Sequence, residues 1–287
     1  MIKTLLVALV VAVSATGGVA TAQTASPTLG KIKAAKAINV AYSADSLPFS
    51  FNGPNNEPAG YSIDLCKRVI AQIGRAVGEP ELKVRWIAGS VTERLQMVAS
   101  GRADLECANT TQTVGRLANV DFSNLTFIDG GGLLVKAGSP INQISDLAGK
   151  KVAVLKGTTT EKRLNDTLRF RLVNATVVPI ADATEGVAML DAGSVDAYAG
   201  DKIKLVGLAV QAKDPSKLAL VAEDLSFEPY AMALPRNDSP FRLEVNKALT
   251  QVYVGGDIEG IFAQWLGKLG RPTGLLAAMY LLNSIPE

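Results

Sequence analysis

Two kinds of hydrophobic pattern alternate along the chain. Short β-branched, apolar runs predict strands over residues 38–43, 82–88, 103–109, 132–137, 151–155, 176–180, 197–200 and 230–234. Longer stretches with apolar residues every three or four positions predict helices over 63–77 and 184–192, and a buried stripe runs from Ile258 to Leu269. This order predicts an α/β fold with parallel strands joined by helices. A chain of this length is more than one comfortable domain, so we expect two lobes.

Apolar segments at both ends are too short to span a bilayer. Residues 1–22 begin with a positive charge at Lys3, continue through an apolar core and end in Ala20-Thr21-Ala22, which is typical of a cleaved signal peptide. The rival interpretation is an uncleaved membrane anchor. Residues 275–282 predict a final helix that packs on the body of the protein. We therefore expect a soluble protein exported to the periplasm after removal of residues 1–22.

The amino-acid composition excludes several kinds of catalytic and binding site. The chain contains no histidine, which excludes Ser-His-Asp and Cys-His nucleophile systems and histidine-ligated metal sites. Its 29 Lys and Arg against 27 Asp and Glu leave no basic surplus for a phosphate-binding surface. We expect a small-molecule ligand, no nucleic acid, no metal and no cofactor.

Three local motifs follow predicted strands. Residues 157–161, Gly-Thr-Thr-Thr-Glu, either hold an anion at a helix N-terminus or form a capping box. Residues 109–116 form a hydroxyl-rich turn that ends in Arg116, whose fork suits a carboxylate, although single arginines are commonly surface charges. Asp201 ends another strand, where it serves either a ligand or a helix N-cap.

Taken together, these motifs and several others resemble one family in order and spacing, from about residue 29 to about residue 269. The further motifs are Leu47-Pro48-Phe49-Ser50, Gly60-Tyr61-Ser62-Ile63-Asp64-Leu65, Gly101-Arg102-Ala103-Asp104, Val120-Asp121-Phe122-Ser123 and Leu147-Ala148-Gly149-Lys150. The pattern resembles the polar amino-acid binding proteins of ABC importers, solute-binding family 3. Asp104-Leu105-Glu106-Cys107 followed by Thr110-Thr111 is most similar to the glutamate/aspartate branch.

The resemblance implies a periplasmic binding protein fold of type II. Residues 23–131 plus 237–287 would form lobe 1, residues 132–236 would form lobe 2, and two hinge strands would join them. Such a protein captures a free L-amino acid by hinge closure and delivers it to an ABC permease. We expect it to work as a monomer and without catalysis.

The resemblance also implies roles for five residues at the amino-acid backbone of the ligand. Arg116 corresponds to the arginine that clamps the α-carboxylate, assisted by Asn109 and Thr111. Thr159, from the other lobe, would donate to the same carboxylate. Asp201 corresponds to the acid that receives the α-ammonium. One zwitterion would then bridge the two lobes.

The residues that would read the ligand side chain depart from the family pattern. Arg94, in the segment that begins at Val91, stands where the glutamate/aspartate branch has an arginine for the side-chain carboxylate. Ser43 stands where relatives carry Asp or Arg, and Ala183 lies near a position where that branch can use histidine. Arg94 is alternatively a structural partner of Glu93 or Glu106. An acidic or amide amino acid is the expected ligand, with a neutral polar or modified one next.

The two cysteines, Cys66 and Cys107, leave two interpretations open. In an exported protein a pair of cysteines suggests a disulfide. Both nevertheless fall on predicted core faces, where free thiols are common.

Two other functions are compatible with the same fold. An exported cyclohexadienyl or arogenate dehydratase would need a general acid, for which Glu106, Asp45 and Glu185 are the candidates. A sensor role would require a separate membrane protein.

Overall fold

The computed structural model describes residues 25–285, so the predicted signal peptide lies outside the described residues. These residues contain nine α-helices, α1 to α9: Pro27–Ala35, Tyr61–Val77, Val91–Ala99, Thr159–Phe170, Ala183–Ala192, Lys202–Val210, Ser239–Val254, Asp257–Leu266 and Gly274–Leu282. They also contain twelve strands, β1 to β12: Ala37–Tyr42, Asp45–Ser46, Ser50–Asn52, Pro58–Ala59, Lys83–Ala88, Leu105–Cys107, Asp121–Lys136, Lys151–Leu155, Thr176–Ile180, Ala197–Asp201, Leu218–Leu220 and Ser226–Leu234.

Parallel strands lie at both ends of one long sheet, whose order is β5-β1-β6-β12-β7-β10-β8-β9. β1 is parallel to β5 and β6, and β8 is parallel to β9 and β10. The two central strands, β7 and β12, are antiparallel to each other. The expected parallel strands are therefore present in each half, and an antiparallel pair joins the halves, as the resemblance implied for the two hinge strands.

Separate hydrophobic cores lie on either side of the central pair. One side draws buried residues from 32–127 and 230–280, and the other draws them from 133–225. The first residues of β7 and the last residues of β12 belong to the first side, whereas Leu133 and Val135 of β7 belong to the second. The molecule thus has two lobes, and β7 and β12 cross between them as the hinge strands. The lobe bounds at 131/132 and 236/237 stay predictions.

The ends of the predicted elements were placed less accurately than their centres. The C-terminal stripe forms α8, but this helix ends at Leu266 and Leu269 is 47% exposed. Gly267 follows the helix directly, which fits an end before the stripe is complete. The final helix is α9, which buries Leu276, Met279 and Tyr280 against the first lobe. Among residues 25–285, none of the helices is both long and apolar enough to cross a membrane.

Cys66 and Cys107 form a disulfide, with their Cα atoms 6.0 Å apart. The bond ties the buried face of α2 to the end of β6. Because the loop after β6 carries Asn109 and Thr111, this cross-link fixes one wall of the space between the lobes.

Candidate functional site

A cleft between the lobes collects all eight residues that the sequence singled out as ligand contacts. Ser43, Val91, Arg94, Asn109, Thr111 and Arg116 line it from the first lobe, and Thr159 and Asp201 line it from the second. They lie at the ends of β1, β6, β8 and β10 or in the segments that follow, and at the start of α3. The carboxyl ends of parallel strands are where α/β proteins bind ligands, and two such edges face each other here.

Capping interactions determine which side chains reach the cleft. The Ser90 hydroxyl accepts from the Glu93 amide, and the Glu93 carboxylate accepts from the Ser90 amide, so α3 begins with Arg94 in its first turn. At α4, Thr158 accepts from the Glu161 amide at 3.1 Å. The capping interpretation of the 157–161 motif therefore holds for Thr158, and Thr159, which does not cap the helix, lines the cleft.

Arg116 contributes positive charge at one end of the cleft. Its Nη1 donates to the carbonyl of Thr111 at 2.7 Å, and its own backbone amide donates to the Thr113 hydroxyl at 3.1 Å. Within residues 25–285 its other guanidinium donors have no protein acceptor. Burial lowers the pKa of Arg116 from its usual value, and the negative charges of Glu106 and Glu228 oppose that shift. Arg116 is partly buried, and a guanidinium with free donors suits a carboxylate.

Asp201 contributes negative charge from the opposite lobe. One carboxylate oxygen accepts from Asn109 at 3.1 Å and from the Tyr230 hydroxyl at 2.7 Å, and the other accepts from Thr160 at 2.9 Å. Asp201 does occupy the N-cap position of α6, but its side chain makes no capping hydrogen bond. Its carboxylate lines the cleft and does not cap the helix, so the capping alternative is wrong for this side chain, and its role toward a ligand stays a prediction.

Glu228 on β12 connects the two lobes and was missed by sequence reasoning. Its Oε2 accepts from the hydroxyl of Thr111 in the first lobe and, at 2.7 Å, from that of Thr159 in the second. Burial raises the pKa of Glu228, and the nearby charge of Asp201 raises it further. The Thr111 and Thr159 hydroxyls lie 3.3 Å apart. With the bond from Asn109 to Asp201, these contacts show the lobes in a closed arrangement.

A second buried acid, Asp129 on β7, lies behind Asp201. The Tyr230 hydroxyl lies 2.7 Å from Oδ2 of Asp201 and 3.2 Å from Oδ2 of Asp129. Burial, and then the charge of Asp201, raise the pKa of Asp129 from its usual value to about 7. The Tyr230 hydroxyl has a single proton to donate, and Asp201 is the nearer of the two carboxylates that compete for it.

Arg94 is buried and largely occupied by protein partners. Its Nε donates to Glu106 at 2.7 Å, Nη1 to the Gly89 carbonyl at 2.8 Å and Nη2 to Thr110 at 3.3 Å. Of the two acids proposed as its structural partner, Glu106 is the one that contacts it, because Glu93 serves the N-terminus of α3. Arg94 still lines the cleft, but its charge is matched by a buried carboxylate.

The end of the cleft near Ser43 holds a lysine that the sequence analysis did not single out. The Ser43 hydroxyl donates to Asp45 at 2.8 Å and lies 2.8 Å from that of Ser46. Lys204 of α6 reaches this group from the second lobe, where its Nζ donates to Ser46 at 3.1 Å. Burial lowers the pKa of Lys204, and the charges of Asp45 and Asp201 oppose the shift. The available signal was a lysine on the same face of α6 as Leu205 and Leu208, both buried.

The acids considered for a dehydratase do not converge. Asp45 lines the cleft, Glu106 is buried against Arg94, and Glu185 is exposed on α5.

No group of three or more acids or cysteines within residues 25–285 is arranged to hold a metal ion.

Comparison with known proteins identifies the family. Residues 38–268 match the bacterial extracellular solute-binding proteins, family 3. The L-glutamate/L-aspartate-binding protein of Pseudomonas aeruginosa is 33% identical over 86% of this chain and 82% of that protein. The glutamate/aspartate import solute-binding protein of Escherichia coli is 29% identical over 93% of this chain and 89% of that protein. An ancestral amino acid-binding protein, described as a precursor of cyclohexadienyl dehydratase, superimposes with a TM-score of 0.72 at 26% identity, covering 83% of this chain and 99% of that one. The chain belongs to family 3 of the bacterial extracellular solute-binding proteins.

Proposed function

We propose that the protein is a periplasmic receptor that binds a free L-amino acid between its lobes and delivers it to an ABC permease. The observation that carries the proposal is the placement of Arg116 and Asp201, which line one cleft from different lobes. A zwitterion satisfies both charges at once only when the lobes are together. Ligand binding would therefore favour the closed arrangement over the open one.

In this proposal Arg116 binds the α-carboxylate, and Asn109, Thr111 and Thr159 surround it. The hydroxyls of Thr111 and Thr159 are already held by Glu228, so these residues would supply backbone amides or shared hydroxyl contacts. Asp201 binds the α-ammonium, with its carboxylate oriented by donors from both lobes. Ser43, Val91 and Arg94 line the part of the cleft that would receive the ligand side chain.

Glutamate or aspartate is the proposed ligand. The support is the similarity to two glutamate/aspartate-binding proteins over more than four-fifths of the chain. Arg94 and Lys204 place two cations in the same cleft as Arg116. The lobes, 23–131 plus 237–287 and 132–236, would move as the two bodies, with bending confined to β7 and β12. Export would remove residues 1–22, which predicts a mature chain that begins at Gln23.

The test is ligand binding by the mature chain, unfolded and refolded to remove any bound solute. Thermal shift against the twenty L-amino acids should show a rise in Tm with glutamate or aspartate, and calorimetry should give one site per chain. The D-enantiomer is the matched control, because with its carboxylate at Arg116 and its ammonium at Asp201 its side chain would point away from the residues that receive the side chain of the L-amino acid. If no amino acid raises Tm, the proposal is wrong. Turnover of prephenate or arogenate by the same preparation would instead support the dehydratase.

A further inference from the structure

Lys204 is a buried cation without a matching anion. Its exposed fraction is 7%, and a single hydrogen bond, to the Ser46 hydroxyl, accounts for one of the three donors of its ammonium group. Within residues 25–285 no carboxylate oxygen lies within 4.0 Å of its Nζ, whereas its neighbour Lys202 pairs with Asp224 at 2.6 Å. Buried charges in proteins are normally paired, because desolvation without compensation is costly. Lys204 therefore has donors available at the wall of the cleft.

Most other charged groups of the cleft are paired with protein groups or exposed to solvent. Arg94 is paired with Glu106 at 2.7 Å, and Lys156 is exposed to solvent. Asp45 is the acid whose charge acts on Lys204, but its Oδ1 accepts from Ser43 at 2.8 Å and its Oδ2 accepts from the Ala183 amide at 3.3 Å. Apart from Arg116, whose free donors the proposed function assigns to the α-carboxylate, Lys204 is thus the buried cation of the cleft with unused donors.

The position of Lys204 along α6 relates it to the proposed ammonium site. Asp201 is the N-cap of α6 and Lys204 follows three residues later, so both lie on one face of the helix. Three residues correspond to a rise of about 4.5 Å along the helix axis. That separation is similar to the distance from the α-carbon to the end of a short acidic side chain. Both residues line the cleft, so the side chain of a ligand held by Asp201 would be within reach of Lys204.

We propose that Lys204 is the residue that selects an acidic ligand, by receiving the side-chain carboxylate of the amino acid bound at Arg116 and Asp201. This inference rests on the proposed function and names the specificity contact within it. The carboxylate supplies the missing anion and accepts the unused donors of the ammonium group. An amide at the same place accepts a hydrogen bond but brings no charge, so the acid is favoured over its amide. The contact comes from the second lobe, which makes it available only when the lobes close.

The test measures the binding of an acidic amino acid and of its isosteric amide to wild type and to Lys204→Met. The pair is either glutamate and glutamine or aspartate and asparagine, whichever includes the acid that wild type binds more tightly. Methionine keeps the length of the side chain and removes its charge. We expect Kd for the acid to rise about 30-fold or more and Kd for the amide to change by less than about threefold. Lys202→Met is the matched control, because it removes a lysine two residues away whose partner lies outside the cleft, and it should leave both Kd values unchanged. Lys204→Arg should retain the preference for the acid.

Three results overturn the inference. They are a wild type that binds the amide as tightly as the acid, an equal loss of both ligands in Lys204→Met, and no loss of either. A wild type that binds no amino acid overturns the proposed function itself, which separates the two failures. If Lys204→Met does not fold, the carbon-13 signal of the Lys204 ε-methylene in wild type decides the question. The acid should raise the pKa of Lys204, the amide should not, and an identical response to both contradicts the proposal.

Discussion

Replacing Asp201 by asparagine separates its charge from its hydrogen bonds. In the native cleft one oxygen of Asp201 accepts from Asn109 and Tyr230 and the other accepts from Thr160. Asparagine can place its carbonyl toward Asn109 and Tyr230 and its amide toward Thr160, whose hydroxyl can turn to accept. The protein partners therefore stay satisfied, and Asp201→Asn should fold with little change in Tm.

The same substitution removes the anion proposed to hold the ligand's ammonium. Removing one member of a buried, hydrogen-bonded charge pair costs about 2–5 kcal/mol. This corresponds to a rise in Kd of about 30-fold to about 5000-fold. Calorimetry with the preferred amino acid measures the change. Asp196→Asn is the control, because Asp196 is an exposed acid just before the same strand and pairs with Lys150 outside the cleft.

A ligand that lacks the amino group decides whether the effect is specific. Asp201→Asn should weaken the amino acid but should not weaken its desamino analogue, because the lost interaction needs the ammonium. A second readout is the titration of Asp129, whose pKa of about 7 is raised first by burial and then by the charge of Asp201. Carbon-13 NMR should show this pKa falling in the variant. An unchanged Kd for the amino acid, or an equal loss for both ligands, would refute the role of Asp201.

Three further outcomes follow from the same geometry. Arg116→Gln should raise the Kd of the preferred amino acid about 30-fold or more by calorimetry, because the α-carboxylate loses its cation. The Kd of a ligand amidated at the α-carboxyl should not change. Equal effects on both ligands would contradict this role of Arg116. Replacing Cys66 and Cys107 by alanine should lower the free energy of unfolding in urea by about 2–4 kcal/mol and leave Kd unchanged, whereas unchanged stability would show that the cross-link is unimportant. The raised pKa of Asp129 means that the folded state keeps a proton that the unfolded chain has lost. The free energy of unfolding should therefore fall by a few kcal/mol as pH rises from about 4 to about 7. A series of urea titrations across this pH range without any such decline would be inconsistent with the raised pKa.

Short runs rich in β-branched residues were the strands that the sequence predicted best. The runs at 151–155 and 176–180 coincide with β8 and β9, although β8 is largely buried and β9 is a partly exposed edge strand. The first half of β7 was missed. The missed segment, residues 121–131, contains Asp129 and two successive glycines, and it pairs with β12 while Asp129 lies behind Asp201 at the cleft. Neither alternation nor a continuous apolar run marks such a strand.

Residues of the candidate site were predicted where a charged side chain lay within a recognisable motif. They were missed where a charged side chain stood in the sequence without such a motif. Arg116 and Asp201 follow strands in patterned turns, and both reached the cleft as expected. Glu228 is the one acid within β12, and its importance depends on Thr111 and Thr159, which lie 117 and 69 residues away in the chain. No local pattern indicates that hydroxyls from two lobes will converge on one carboxylate.

Lys204 shows how such a residue can be found from sequence. On α6 it shares a face with Leu205 and Leu208, so the periodicity already predicts a buried ammonium group. Burying that charge is unfavourable unless another group compensates, and in the described residues a serine hydroxyl is its one hydrogen-bond partner. The sequence contains no histidine that could supply a titratable cation at this position. In our proposal a lysine from the second lobe restores the cationic contact that Ser43 and Ala183 lack. Because that contact would form only when the lobes close, the choice of ligand and the closure of the lobes would be parts of one equilibrium.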